Sequence, residues 1–132
     1  MSDVLCGIKG NDTLTGLGAD DLFFGGPGSD TASFARSKAA VTVDLGGGTA
    51  SGEGSDTLAS IERAVGSSKG DMLTGSPGPN VLSGGGGADK LFGLLGNDRL
   101  LGGSGNDTLN GGPGIDTCVQ GPGSGPKTSC EH

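Results

Sequence analysis

The sequence predicts an all-β protein wound as a parallel β-solenoid, and three observations carry that expectation. The first is a nine-residue period. Nine copies of G-G-x-G-x-D-x-U-x, where U is a large apolar residue, begin at Gly7, Gly16, Gly25, Gly66, Gly75, Gly84, Gly93, Gly102 and Gly111; the clearest read GGGGADKLF, GLLGNDRLL, GGSGNDTLN and GGPGIDTCV. The second is composition: 31 of 132 residues are glycine and the only aromatics are four Phe. Without a period such a chain would be expected to stay disordered, whereas a fixed period indicates stacked repeats. The third is that each unit has a single apolar slot, too little to close a core until neighbouring units stack.

Each unit divides into a turn and a strand. The first six positions form a turn whose glycines can take a positive φ without steric cost. The last three form a short strand whose middle residue points inward, by the two-residue alternation of β structure. Two units make one coil, so each turn lies over the turn eighteen residues earlier, with strands about 4.8 Å apart. The inward ladder is Leu14, Phe23, Leu73, Leu82, Leu91, Leu100, Leu109 and Cys118, with only Ala32 in the slot of the third unit. Pro27, Pro77 and Pro113 share the third slot, where a fixed φ suits a turn and no ladder donor is lost.

The repeats divide the chain into four stretches. Residues 1–33 are N-terminal repeats, with Asp3 and Leu5 in the slots of a partial unit. Residues 34–65 break the register as an irregular solenoid insert. In it AVTVDL reads as a strand, GGGTASGEGSD as turn or loop, and LASIERAV as a further solenoid strand in preference to a short helix. Residues 66–119 are the C-terminal repeats. Residues 120–132 lack both the aspartate and the apolar slot and read as an irregular cap or tail over the last coil. Cys118 and Cys130 bracket that tail and either close a short disulfide loop or remain thiols, and Cys6 is left over.

Charge gives the chemistry. The net charge is −7, and eight of the twelve aspartates sit in the sixth slot: Asp12, Asp21, Asp30, Asp71, Asp89, Asp98, Asp107 and Asp116, with Asn80 in the same slot of the remaining unit. Stacking brings like charges together, which is unfavourable unless a cation lies between them. Carboxylates and bare backbone carbonyls are the ligands of a hard cation, and their number suits calcium. Magnesium demands a stricter octahedron, and zinc prefers His and Cys ligands that the units do not supply. The expected ligands are those nine side chains and the turn backbones of Gly84, Gly85, Gly87, Gly93, Gly96, Gly102, Gly103, Gly105, Gly111, Gly112 and Gly114. Pairing turns eighteen residues apart gives sites at Gly66/Gly84, Gly75/Gly93, Gly84/Gly102, Gly93/Gly111 and Gly7/Gly25, roughly four to six ions in all, the Asn80 site being the weakest of the C-terminal block.

Other functions find little support. No basic stripe suits nucleic acid, and no run of apolar residues is long enough to span a membrane. The only histidine, His132, is at the end of the chain, so no Ser-His-Asp or Cys-His set is expected and the chain does not read as an enzyme. The alternative is an adhesive solenoid whose flat face meets ice, carbohydrate or a protein partner. Its outward seventh slot reads Thr13, Leu22, Thr31, Met72, Val81, Lys90, Arg99, Thr108 and Thr117, an irregular file for ice.

The near-consensus stretches GGGGADKLF, GGSGNDTLN and GGPGIDTCV resemble the hemolysin-type calcium-binding repeats, the RTX nonapeptides, and the likeness covers nearly the whole chain. It implies a parallel β-roll that folds on binding calcium outside the cell. It places the ligand role on the sixth-slot aspartates and the glycine-turn carbonyls. It further implies a secreted structural or secretion-assisting appendage, with a parent enzyme or adhesin domain as its possible partner.

Overall fold

The computed structural model describes residues 1–130 and builds them from fifteen short strands, with no helix among them. His132 lies outside the described residues. The N-terminal repeats give β1 (Val4–Cys6), β2 (Thr13–Thr15), β3 (Leu22–Phe24) and β4 (Thr31–Ser33). The insert gives β5 (Thr42–Asp44), β6 (Thr49–Ser51), β7 (Ser55–Ala59) and β8 (Arg63–Val65). The C-terminal repeats give β9 (Met72–Thr74), β10 (Val81–Gly86), β11 (Lys90–Phe92), β12 (Arg99–Ser104), β13 (Thr108–Asn110) and β14 (Thr117–Val119), and the tail gives β15 (Lys127–Thr128).

Consecutive strands of the repeats alternate between two walls. One wall has nine strands in the order β1-β3-β7-β6-β5-β9-β11-β13-β15, and the other has six in the order β14-β12-β10-β8-β4-β2. Within the repeats every pairing is parallel with partners eighteen residues apart, as in Lys90 beside Thr108 and Arg99 beside Thr117. This is the expected parallel β-roll. The middle residue of each strand faces inward: Leu73, Leu91 and Leu109 stack along one wall and Ala64, Leu82 and Leu100 along the other, all essentially buried. Cys118 ends the second ladder and is only half-buried.

The insert departs from expectation in two places. The segment read as turn or loop contains a strand, β6, which pairs antiparallel with both β5 and β7. The stretch read as one strand is divided into β7 and β8 by a turn at Ser60, whose φ of 54° lies in the left-handed region. The meander widens one wall only. Two strands, β6 and β5, stand between β7 and β9, while β8 pairs directly with β10. At about 4.8 Å per strand, the nine-stranded wall is about 10 Å longer across the insert. The insert is also where the core is thickest: eight of the sixteen buried apolar side chains come from residues 34–65, and Phe34 packs on Phe23 with ring centroids 5.8 Å apart.

The tail is more regular than an irregular cap. It keeps the repeat register, with β15 beside β13 and Gly121 and Gly123 at positive φ lying over the carbonyls of Gly103 and Gly105. Of the two options for the cysteines, the disulfide is realised: Cys118 and Cys130 are bonded with Cα atoms 5.7 Å apart, and Cys6 is free and exposed.

Two stability outcomes are expected. Leu100→Ala, which empties a fully buried slot, should cost about 2–5 kcal/mol in denaturant unfolding of the calcium-loaded chain, whereas Val119→Ala at an exposed slot should stay within about 0.5 kcal/mol. Reducing the disulfide, which spans 12 residues, should lower stability by about 2–4 kcal/mol.

Candidate metal centre

Each coil crosses between the walls twice, so the turns form two rows. One row runs through the turns that start at Gly7 and Gly25, the short turn Ser60–Glu62, and the turns at Gly75, Gly93 and Gly111. The other runs through the Gly16 turn, the insert, the turns at Gly66, Gly84 and Gly102, and the tail.

A ladder of carboxylates ties each row together. The backbone N–H of five sixth-slot residues donates to Oδ1 of the aspartate in the next turn: Asp12 to Asp30 at 2.8 Å, Asp71 to Asp89 at 2.8 Å, Asn80 to Asp98 at 2.8 Å, Asp89 to Asp107 at 2.9 Å and Asp98 to Asp116 at 2.7 Å. This bond holds the carboxylates under the turns, where all but Asp12 among the sixth-slot residues are buried. It uses only one oxygen. The other, Oδ2, is buried without any hydrogen-bond partner on Asp30, Asp89, Asp98, Asp107 and Asp116. A buried anionic oxygen left without a partner is strongly unfavourable, so a positive charge belongs beside it.

The space around these oxygens is lined by backbone. A Cβ on Gly84 or Gly93 would collide with Oδ2 of Asp89 or Asp98 and with the carbonyl of Gly102 or Gly111 in the next turn. Gly103, Gly105, Gly112 and Gly114 lie directly against the carbonyls of Gly85, Gly87, Leu94 and Gly96. At these positions the stacked turns leave no room for a side chain, and glycine is required. Among the described residues no three His, Cys, Asp or Glu side chains gather in one place. A bound cation would therefore draw on one or two carboxylates and several carbonyls, an all-oxygen set that suits calcium and not zinc.

Electrostatics agree with the geometry. Burial pushes the Asp89 carboxyl up to about 6; the hydrogen bond from Asp71 opposes this, and the charges of Asp71 and Asp107 add to it. Asp98 is raised by burial and by Asp116, and Asp56 by burial and by Asp21 and Asp20.

The rows bring Asp89 together with Asp107, Asp98 with Asp116, and Asp12 with Asp30. They also enlist two residues that the sequence reading left out. Asp56 accepts the Asp21 N–H at 2.8 Å, and Glu62 accepts the Asp30 N–H at 2.9 Å, so both stand in the aspartate ladder. A signal for Asp56 was present: Ser51–Ala59 reads SGEGSDTLA, a tenth unit out of phase with the others. Its turn stacks on the Gly16 turn through Ala19 N–H to Glu53 O at 2.9 Å. Glu62 had no such signal, because its longer side chain reaches the ladder from a three-residue turn. The fifth slot forms a second, outer ladder, in which Asn11, Asn97 and Asn106 accept the N–H of Ser29, Ile115 and Ser124, each at 2.9 Å.

A search of curated proteins found no match. A family model of the RTX calcium-binding nonapeptide repeat, in four copies, matches residues 2–32, 65–100 and 87–118, the blocks on either side of the insert. With more than half of its length matched and its turns stacked in two carboxylate-bearing rows, the chain belongs to the RTX calcium-binding nonapeptide repeat family.

Proposed function

We propose that this chain is a secreted β-roll segment that gathers several calcium ions between its turns and completes its fold by doing so. The observation that carries this reading is the set of five buried carboxylate oxygens without a partner, each under a glycine turn. Asp89 with Asp107 and Asp98 with Asp116 would hold the ions of the C-terminal block, together with carbonyl oxygens of Gly84, Gly85, Gly87, Gly93, Gly96, Gly102, Gly103, Gly105, Gly111, Gly112 and Gly114. Asp12 with Asp30 would hold another, and Asp21 with Asp56 is a further candidate pair created by the out-of-phase unit. Asp71 and Asn80 complete the stacked rows. The total is about four to six ions. Bound calcium supplies positive charge to carboxylates that would otherwise repel one another, and the fold gains the binding free energy because the unfolded chain has no such site.

The Cys118–Cys130 disulfide supports a location outside the cell, since such bonds persist in oxidising compartments. Calcium is also abundant enough there for sites of modest affinity. The segment serves as a structural or secretion-assisting appendage to a parent enzyme or adhesin domain and has no catalysis of its own.

In circular dichroism, strand signal should fall in chelator and return cooperatively with calcium at about 10⁻⁴–10⁻³ M, with magnesium a poor substitute. A spectrum indifferent to EDTA would refute the reading. Asp107→Asn removes one charge from a paired site and should raise the calcium midpoint by on the order of tenfold.

The pH response follows from Asp89. Its carboxyl is raised from 3.8 to about 6 in the metal-free fold, so the folded state binds the proton more tightly than the unfolded one. The resulting stabilisation is complete below the unfolded value and is lost as pH rises through about 6. In chelator, strand signal should therefore fall between about pH 4 and pH 7. With calcium present the titration midpoint should move to higher concentration as pH drops below about 6, because protons compete for the same oxygen.

A further inference from the structure

In eight of the nine repeat turns the second slot takes one of two conformations; the Gly16 turn, where Leu17 is not at positive φ and its N–H does not bond Asp21, fits neither. In the turns at Gly25, Gly84, Gly93, Gly102 and Gly111 the slot takes a positive φ, between 78° and 101°, even where the residue is Leu94. These are the five turns whose aspartate keeps a bare, buried Oδ2. In the turns at Gly7, Gly66 and Gly75 the second slot is Ile8, Ser67 or Ser76, none at positive φ, and its N–H points inward. There it donates to Asp12 Oδ2 at 3.2 Å, Asp71 Oδ2 at 2.6 Å and Asn80 Oδ1 at 2.7 Å. A positive φ turns this donor away and leaves the oxygen for a cation; a negative φ turns the donor in and satisfies the oxygen from within the turn.

The two serines go further. The Ser67 hydroxyl donates to Asp71 Oδ1 at 2.8 Å, the same oxygen that accepts the Val41 N–H at 2.8 Å, so Asp71 receives three hydrogen bonds. Ser67 and Asp71 are both almost fully buried. Asn80 carries no charge, and its Nδ2 donates to the Glu62 carbonyl at 3.1 Å. Neither turn leaves its Asp71 or Asn80 oxygens without a hydrogen-bond partner. Both turns also adjoin the part of the chain richest in apolar contacts. Residues 34–65 bury eight large or small apolar side chains, whereas residues 84–119 bury three, Leu91, Leu100 and Leu109. The β5-β6-β7 meander closes its strands over short loops, at small entropic cost.

We infer that residues 34–83 fold without calcium, with Ser67 and Ser76 in the place of the ion, and that calcium then adds the coils beyond Gly84 to this preformed edge. The inference rests on the calcium reading above and assigns the sites unequal roles: the open turns are built by calcium, and the serine-closed turns are present before it arrives.

Hydrogen exchange by mass spectrometry on the full oxidised chain, in EGTA and in calcium, tests it. In EGTA, peptides from residues 41–82 should exchange at least about tenfold more slowly than an unfolded chain, while those from 84–119 exchange freely until calcium is added. Loss and gain of protection together in both regions, at one calcium concentration, would overturn the inference while leaving calcium-driven folding intact. No response to calcium anywhere would overturn both. Ser67→Gly gives the second slot the freedom to open. It should remove protection from residues 66–82 in EGTA and let the chain take up about one further calcium ion in native mass spectrometry; unchanged exchange and stoichiometry would show that the serine does not replace the ion.

Discussion

The structure depends on how a stack of buried carboxylates is neutralised. One oxygen of each of Asp89, Asp98, Asp107 and Asp116 is fixed by a backbone N–H from the adjacent turn, at 2.7–2.9 Å along both rows of the C-terminal block. This bond sets the coil-to-coil register and at the same time brings like charges to one strand spacing. The second oxygen is then either bare or bonded within its own turn, and which of the two it is divides the molecule. Where it is bare, a buried anionic oxygen has no partner in the protein.

The other features follow from that requirement. The stacked turns bring backbones into contact, and even a methyl group at Gly103 or Gly105 would meet the carbonyl above it. Glycine in turn leaves little apolar surface to bury, and each unit contributes one inward residue such as Leu91 or Leu100. The insert compensates differently. It packs Phe34, Val41, Val43, Leu45 and Ile61 into the core and joins its strands antiparallel, so that it relies on ordinary burial where the repeats rely on charge.

Much of this was legible in the sequence. The nine-residue period gave the coil, the eighteen-residue register and the inward ladder, because one spacing governs all three. It also located the acidic rows and the near-consensus turns. The parts that stayed hidden were those where a different physical signal was needed. Asp56 sits in a unit of the right composition, but the preceding hairpin shifts it out of phase. Glu62 enters the ladder by side-chain length alone. The tail follows the register even though Lys127 stands where the repeats place an apolar residue, because its glycines and the Cys118–Cys130 bond fix its path. Nothing in the period set Ser67 and Ser76 apart, because only the backbone conformation distinguishes a closed turn from an open one.

The central claim is that the bare oxygens of Asp89, Asp98, Asp107 and Asp116 face calcium. Anomalous X-ray diffraction from crystals grown in calcium, recorded at a long wavelength where calcium scatters anomalously, tests it most directly. The account predicts anomalous peaks between the stacked turns, against the Asp89–Asp107 and Asp98–Asp116 pairs. Carboxylates bonded to water or to a rearranged backbone, with no peak beside them, would contradict it.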